Sequence, residues 1–462
     1  MKIRHLHATN VHGYLPIDVD FFPDLTFLTG LNGSGKTSAL RLLMALLTPN
    51  IEEFASITFS AATVTVVDND QAIEISAHRT SDGLSLSVSS LSEAMLLTSA
   101  DLQLIVEAKR RDEPRQPVLE KVIAHSVFQT IREISTPMFL GLDRRFYAQA
   151  SLTEEMSDYR RREMLARRYM PDDPTLRGHA AAGLADVNFL VLGKMQEIRA
   201  AQEQLDEDLR RKFFTRAFEY KPSDITKGSR FPSRAELERY RAHQTNIERA
   251  AEGLRLPVPE LQSALTGFFE RMTTVVDALE KTAKATKPKE RGKRASDKPM
   301  HDPAIFERDF MEWVINKPQA DRILEHLQLL DEYISARSAL REPINKFLSL
   351  VNGFLDQTKK TVSVAGRGEL TVSCEGDTSL RPITALSSGE RQLLVMLAHL
   401  SLNTSLAGSG VFIVDEPELS LHIDWQERFV DAIRAANPSV QLILATHSPA
   451  IILDRTESCH SL

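Results

Sequence analysis

The chain has 462 residues, of which 42% are hydrophobic and 26% charged, as is typical of a globular protein with core for two or three domains. A formal net charge of -7 argues against a surface that binds nucleic acid throughout, but it allows a local basic patch. Two distant cysteines, and no apolar run of signal-peptide or membrane-span length, predict a cytoplasmic protein without disulfides.

The first residues predict β structure. Residues 3–6 and 17–22 alternate apolar and polar side chains, and Gly13 and Pro16 mark a turn between them. Residues 25–28 are a further short apolar run, which predicts a third strand.

Residues 30–37 read Gly-Leu-Asn-Gly-Ser-Gly-Lys-Thr and match the phosphate-loop pattern between a predicted strand and the predicted helix 38–47. Backbone N–H groups of such a loop face an anion at a helix start, Lys36 would reach the β- and γ-phosphates, and Thr37 would hold Mg²⁺. A glycine turn without a ligand is the alternative. The predicted nucleotide-binding residues are Asn32, Gly33, Ser34, Gly35, Lys36, Thr37 and Ser38.

Three β-type runs follow, at residues 56–67, 72–76 and 84–88, and turn residues separate them. They predict an antiparallel meander. Residues 137–142 form another short apolar run of strand type.

Helical patterns dominate the middle of the chain, from about residue 151 to residue 344. Recurring prolines and the lack of a long uninterrupted heptad pattern favour a compact helical insertion over a long rod. Residues 281–298 carry eight lysines and arginines with almost no apolar residues, which predicts a disordered loop. This loop is either a solvated surface or an arm that contacts a phosphate backbone.

Strand patterns return towards the end of the chain. Residues 361–365 and 369–374 predict a hairpin, while residues 411–414 and 441–445 bracket a predicted helix over 425–436. Strand, helix and strand in that order predict a parallel crossover.

Asp415 and Glu416 follow the apolar run 411–414 directly. Two carboxylates at the end of a buried strand suit Mg²⁺ chemistry: Asp415 would bind the ion through water, and Glu416 would orient and deprotonate the attacking water. A pair of solvated loop acids is the alternative.

Ser387, Ser388, Gly389 and Glu390 open an apolar helix over 391–400, where amides and hydroxyls offer a second anion site. Taken alone, this stretch is a good helix N-cap. It resembles the signature motif of ABC-type ATPase heads, and the resemblance implies that it grips the γ-phosphate from the opposite subunit.

Two further stretches resemble motifs of the same heads. Ser420-Leu421-His422 occupies the place of the D-loop, with His422 where an aspartate is usual. His447 follows the run 442–445 and resembles the switch histidine that contacts the γ-phosphate.

The order of these motifs resembles ABC-type ATPases of the SMC and RecF kind. Residues 415–426 and 445–452 are similar to the overcoming-lysogenization-defect (OLD) superfamily, with stand-alone antiphage-defence ATPases, Septu PtuA and PARIS AriA, as the nearest types. The resemblance implies an α/β fold: a P-loop ABC-type ATPase head (mixed sheet with antiparallel β lobe), interrupted by a large compact α-helical insertion. Its parts would be residues 1–150 and 345–462 for the head, and 151–344 for the insertion.

The glutamine loop of such heads has no clear counterpart. Arg144 and Arg145 follow the matching strand, and an arginine, whose donors suit phosphate, would replace the glutamine there. A surface arginine pair is the alternative.

The resemblance implies an ATP- and Mg²⁺-dependent switch that works as a homo-oligomer, either a dimer of heads or a larger ring. About fourteen residues follow Ser448, too few for the Toprim nuclease domain of OLD nucleases, so an HNH or Toprim nuclease is expected to act in trans. The alternative is a RecF- or SMC-like repair ATPase that clamps DNA through closed heads. A transporter ATPase fits the motifs less well.

Overall fold

The protein is described by a computed structural model. The residues that it describes are 1–111, 116–134, 137–141, 146–147, 179–219, 258–285, 303–366, 368–377, 379–403 and 410–462.

The described strands, in chain order, are β1 Lys2–Val11, β2 Leu15–Asp20, β3 Leu25–Thr29, β4 Ala61–Asp68, β5 Gln71–Thr80, β6 Gly83–Val88, β7 Met95–Thr98, β8 Met138–Leu140, β9 Phe146–Tyr147, β10 Lys360–Val364, β11 Leu370–Cys374, β12 Arg381–Pro382, β13 Val411–Asp415, β14 Gln441–Ala445 and β15 Cys459–Ser461. The described helices are α1 Lys36–Leu47, α2 Ile51–Ser56, α3 Ser99–Arg111, α4 Gln116–Ala124, α5 Ser126–Ile134, α6 His179–Phe218, α7 Val258–Ala285, α8 Pro303–Leu355, α9 Ser388–Leu402, α10 Ile423–Ala436 and α11 Pro449–Ile452.

One sheet carries the phosphate loop and the acid pair. Its strand order is β15-β3-β14-β13-β8-β9, and the pairs are parallel except for β8 with β9. Every residue of β13 and β14 is buried, which explains why their sequences are continuous apolar runs rather than alternating ones. The predicted parallel crossover is confirmed, and it aligns the carboxyl ends of β3, β13 and β14.

The second sheet is the predicted antiparallel lobe, with strand order β2-β1-β4-β5-β6-β7. Along β1 the side chains alternate between a core face, with Leu6 and Ala8 fully buried, and an exposed face. Asn69 and Asp70 both have positive φ in the two-residue turn between β4 and β5, the geometry that favours asparagine and aspartate there. This meander is therefore specified by alternation and turn chemistry alone.

The predicted large helical insertion is confirmed, although one of its helices is longer than the recurring prolines predicted. Helix α8 has 53 residues, a length of about 80 Å. It runs through Pro318 and Pro343, each of which removes only one backbone hydrogen bond. Fully buried side chains lie within about one turn after each proline, Ala320 after Pro318 and Phe347 after Pro343, so packing overrides the proline signal.

The predicted basic loop 281–298 also needs a correction, because residues 281–285 belong to α7. Residues 286–298 lie outside the described part of the chain. By contact density the chain divides into two compact units, residues 1–195 with 343–462, and residues 196–342. The second unit has its own apolar cluster around the fully buried Trp313.

Among the described helices, none combines the length and the apolar character that crossing a membrane would need.

Candidate nucleotide-binding site

The phosphate loop lies between the end of β3 and the start of α1, as the sequence predicted. Gly30, Gly33 and Gly35 all have positive φ, which only glycine adopts at low cost. At Gly30 a Cβ atom would also stand 2.8 Å from the carbonyl oxygen of Leu462 and 2.7 Å from Ser34 Oγ. The loop can therefore keep its curl only with glycine at this position.

Lys36 is the first residue of α1 and is buried. Its Nζ donates hydrogen bonds to the carbonyl oxygens of Gly30, at 2.9 Å, and Leu31, at 3.2 Å. The ammonium group is thus held against the loop, where the phosphates of a nucleotide would meet it.

Asp415 ends β13 beside Thr37 on α1, and it is only 1% exposed. Burial raises its pKa to about 6; the Thr37 hydroxyl and Lys36 lower it, and Glu416 and Glu418 raise it further. Among the residues that the structure describes, no partner reaches either carboxylate oxygen with normal hydrogen-bond geometry. A buried carboxylate and a hydroxyl side by side are oxygen ligands that fit Mg²⁺.

A cavity of about 320 Å³ adjoins this pair. Besides Thr37 and Asp415, its walls include Arg41 from α1, and Phe139 and Gly141 at the end of β8. The space leaves room beside the carboxylate for an ion and its water ligands.

Glu416 follows Asp415 in the left-handed backbone conformation, with φ 47° and ψ 62°. A residue with a Cβ rarely adopts this conformation, and it persists where surrounding structure enforces it. Here the Glu416 N–H donates to the carbonyl oxygen of Ala445 at 2.9 Å. The bond joins the turn after β13 to the end of β14, two residues before His447.

Glu418 is the functional residue that sequence reasoning missed. Its Oε1 accepts hydrogen bonds from the Thr446 hydroxyl and the His447 backbone N–H, both at 2.9 Å, and lies 3.0 Å from His447 Nδ1. The imidazole itself is half exposed. The only sequence signal for it is a second acid two residues after Glu416.

Gln426 on α10 supports the same turn. Its Oε1 accepts a hydrogen bond from Ser448 Oγ at 2.6 Å, and its Nε2 donates to the carbonyl oxygen of Leu421 at 2.9 Å. The segments around His422 and His447 are therefore connected through one half-buried amide.

The signature residues begin α9. Ser387 and Ser388 are exposed, and Ser387 forms a capping box with Glu390. Glu390 is 2% exposed. Its carboxylate accepts hydrogen bonds from the Ser387 N–H at 2.6 Å and from Lys360 Nζ, which reaches one oxygen at 2.8 Å and the other at 3.0 Å. Glu390 thus positions the helix start, where the two serines are exposed and Gly389 is buried.

The other predicted site residues lie on different elements of the chain. His422 precedes α10, is exposed, and has its Nδ1 3.5 Å from Asp424 Oδ2. Ser420 ends a short 3₁₀ turn after Glu416. Ser38 Oγ lies 2.9 Å from His12 Nε2. Arg144 and Arg145 lie outside the described residues.

Comparisons with known proteins agree with this geometry. The family described as "AAA domain, putative AbiEii toxin, Type IV TA system" matches residues 314–454, which include the signature, the acid pair and His447. The "Retron Vc95 probable ATPase" of Vibrio cholerae is 31% identical over 128 residues, 26% of this chain and 23% of that protein. The "DNA double-strand break repair Rad50 ATPase" of Saccharolobus solfataricus is 36% identical over 124 residues, 24% of this chain and 13% of that protein.

Each of these alignments spans less than a quarter of the relative's own length. An SMC head domain from Pyrococcus furiosus, solved with an extended coiled coil and bound to a ScpA domain, aligns over 98% of this chain and 91% of its own. Its identity is 12% and its TM-score 0.37. The chain, with its phosphate loop, its acid pair and the helix start at Ser387, is therefore similar to ABC-type ATPases, among them a retron ATPase and a Rad50 ATPase.

Proposed function

We propose that the chain binds ATP with Mg²⁺ and hydrolyses it. The observation that carries this proposal is the meeting of Thr37 and Asp415 beside the phosphate loop, with Glu416 next in the chain. Residues 32–38 would bind the phosphates, and Thr37 and Asp415 would hold the ion. When bound, Mg²⁺ neutralises charge that develops on the phosphate oxygens.

Glu416 would act as the general base. It takes a proton from a water molecule whose oxygen bonds to the γ-phosphorus, the bond from that phosphorus to the bridging oxygen breaks, and ADP leaves. His447, held by Glu418, would contact the γ-phosphate.

We further propose that two copies share each site, with Ser387, Ser388 and Gly389 of one copy facing the phosphate loop of the other. The exposure of both serines at a helix start supports this. So does the exposure of three large apolar side chains in the site loops, Leu31, Leu419 and Ile423, since a second copy would cover them.

For the biological role we propose a switch in an antiphage system, in which ATP-bound assembly controls a nuclease acting in trans. The retron relative and the resemblance to OLD-type heads support it. The second candidate function, with equal standing, is that of a DNA-clamping repair ATPase, which the Rad50 relative supports. That alternative expects DNA-stimulated hydrolysis and a DNA contact through the basic run 281–298.

Measurements of ATP hydrolysis and of oligomer formation test the proposed ATPase activity. Lys36→Ala should weaken ATP binding. Glu416→Gln should abolish hydrolysis but keep the ATP-bound oligomers. The matched control is Glu427→Gln, which changes an exposed acid on α10. Wild-type turnover in Glu416→Gln would show that Glu416 is not the base. Mixing Lys36→Ala with Ser388→Arg subunits should restore part of the activity, because one composite site stays intact.

Co-purification with the product of the neighbouring gene tests the role. Capture of a nuclease whose activity changes with ATP supports the switch. ATP-dependent retention of duplex DNA, with no protein captured, supports the repair alternative instead.

A further inference from the structure

A cluster of histidines and aspartates lies on the exposed face of the β1–β2 hairpin, which belongs to a different sheet from the one that carries Asp415. His5 and His7 are two residues apart on β1, so their side chains share one face. Directly across the hairpin, Asp20 pairs with His5 and Asp18 pairs with His7. Leu6 and Ala8 occupy the opposite, buried face of β1.

The polar atoms of this cluster converge on one carboxylate oxygen. Asp18 Oδ1 lies 3.0 Å from His5 Nε2 and 3.0 Å from His7 Nδ1. These three atoms all lie within 4.8 Å of one another. Ligand atoms of a tetrahedral zinc site, each about 2.0–2.2 Å from the ion, stand only slightly more than 3 Å apart, so small side-chain rotations would bring them onto one ion.

The surroundings support ligation. His5 Nδ1 lies 2.7 Å from Asp20 Oδ1, which would fix the tautomer that leaves Nε2 as an acceptor. On β4, the neighbours of His5 and His7 are Thr65 and Thr63, so no cation competes from that side.

We propose that His5, His7 and Asp18 bind one divalent transition-metal ion, with Zn²⁺ as the preferred ion and Asp20 as the residue that orients His5. Two imidazoles and one carboxylate suit Zn²⁺, Co²⁺ or Ni²⁺ rather than Mg²⁺ or Ca²⁺, which prefer oxygen ligands. Because the cluster is exposed, water completes the coordination.

Ion binding at this place would join two strands that lead to the nucleotide site. Strand β2 precedes β3 and the phosphate loop in the chain. His460 on β15, which pairs with β3, also contacts the Asp18 carbonyl oxygen through Nε2 at 3.0 Å. The proposed ion therefore braces the hairpin without taking part in ATP chemistry.

Zn²⁺ titration by calorimetry of the full chain, free of polyhistidine tag, metal and nucleotide, tests the proposal. One equivalent should bind, and Co²⁺ should give the visible absorption of a tetrahedral site. His7→Gln and Asp18→Asn should each weaken binding more than tenfold, and Asp20→Asn about ten- to a hundredfold. His78→Gln, an exposed histidine on β5, and Asp415→Asn should bind as the wild type does.

Loss of binding in Asp415→Asn, or unchanged binding in both His7→Gln and Asp18→Asn, would overturn the proposal. So would the absence of a stoichiometric wild-type site, because His5, His7 and Asp18 would then only hydrogen-bond to one another. A second measurement needs no variant: Zn²⁺ should protect His5 and His7, but not His78, from diethyl pyrocarbonate. Equal labelling of all three with and without Zn²⁺ would equally contradict it.

Discussion

The carboxylate of Glu418 holds His447 at two points. One oxygen, Oε1, accepts the His447 backbone N–H at 2.9 Å and lies 3.0 Å from its Nδ1. The other oxygen is buried and has no hydrogen-bond partner within the described part of the chain. The contact fixes both the turn after β14 and the orientation of the imidazole, so Glu418 is a positioning residue for the proposed γ-phosphate contact.

Glu418→Ala should lower the rate of ATP hydrolysis by about ten- to a hundredfold, because a misplaced imidazole no longer meets its target. The affinity for ATP, measured with a fluorescent analogue, should change little. Glu418→Gln keeps an acceptor for the His447 backbone N–H, so its rate of ATP hydrolysis should fall less than that of Glu418→Ala. Equal turnover in Glu418→Ala and in the exposed control Glu427→Gln would remove Glu418 from the site.

Asp415→Asn should stabilise the nucleotide-free protein at neutral pH. Burial raises the pKa of Asp415 to about 6, so the fold favours the protonated form. The unfolded chain loses that proton near pH 4, and stability therefore falls as pH rises from about 4 to 6. The variant should gain up to about 3 kcal/mol at pH 7 and nothing at pH 4.

Thermal unfolding across this pH range, without Mg²⁺ or nucleotide, measures the effect. Asp454→Asn, at an exposed position, is the control. With ATP and Mg²⁺ present the wild type should be the more stable of the two, because only the wild type is stabilised by binding them. A pH-independent difference between Asp415→Asn and the wild type would contradict the raised pKa.

Lys360→Ala should destabilise the head by about 3 kcal/mol, since it leaves the buried carboxylate of Glu390 without its cation. Burial acts to raise the pKa of Glu390, but hydrogen bonds from Lys360, the Ser387 N–H and Thr358 outweigh it and lower the pKa. The pair therefore contributes its stability above the usual glutamate pKa, and loses it as pH falls through the lowered value.

Urea unfolding at pH 7 and near pH 4 measures this effect. The difference in the free energy of unfolding between Lys360→Ala and the wild type should be smaller at the lower pH. Glu375→Gln breaks the neighbouring exposed pair with Lys359 and should cost less than about 1 kcal/mol. Similar losses of stability in Lys360→Ala and Glu375→Gln would mean that the Lys360–Glu390 pair contributes no more than an exposed ion pair.

Gln441→Leu should lower stability by about 2–4 kcal/mol, because it removes three buried hydrogen bonds. The fully buried amide of Gln441 accepts from the Ile3 N–H at 2.7 Å and donates to the carbonyl oxygens of Ile3 and Phe22, both at 2.8 Å. Gln71→Ala, exposed on β5, should change stability by less than about 0.5 kcal/mol. A Gln441→Leu melting curve that overlaid that of the wild type would refute this role.

Elements with strong local signals were predictable. The phosphate loop needs glycines at fixed positions, β13 and β14 need continuous apolar residues, and the β4–β5 turn needs residues that tolerate positive φ. Each signal lies within a dozen residues, so the sequence exposes it directly. Helix α8 was predicted less well, because tertiary packing outweighs the local cost of Pro318 and Pro343.

Sequence alone therefore determined the chemical groups of the candidate site and their order along the chain: Lys36, Thr37, the two serines at 387 and 388, the acid pair and His447. Only the tertiary structure decided how they are held. Glu418 reaches His447 across 29 residues, Gln441 reaches Ile3 across 438, and Glu390 turns inward to Lys360 rather than outward. Such partners depend on strand register and on which face is buried, and these are fixed only when distant segments pack together.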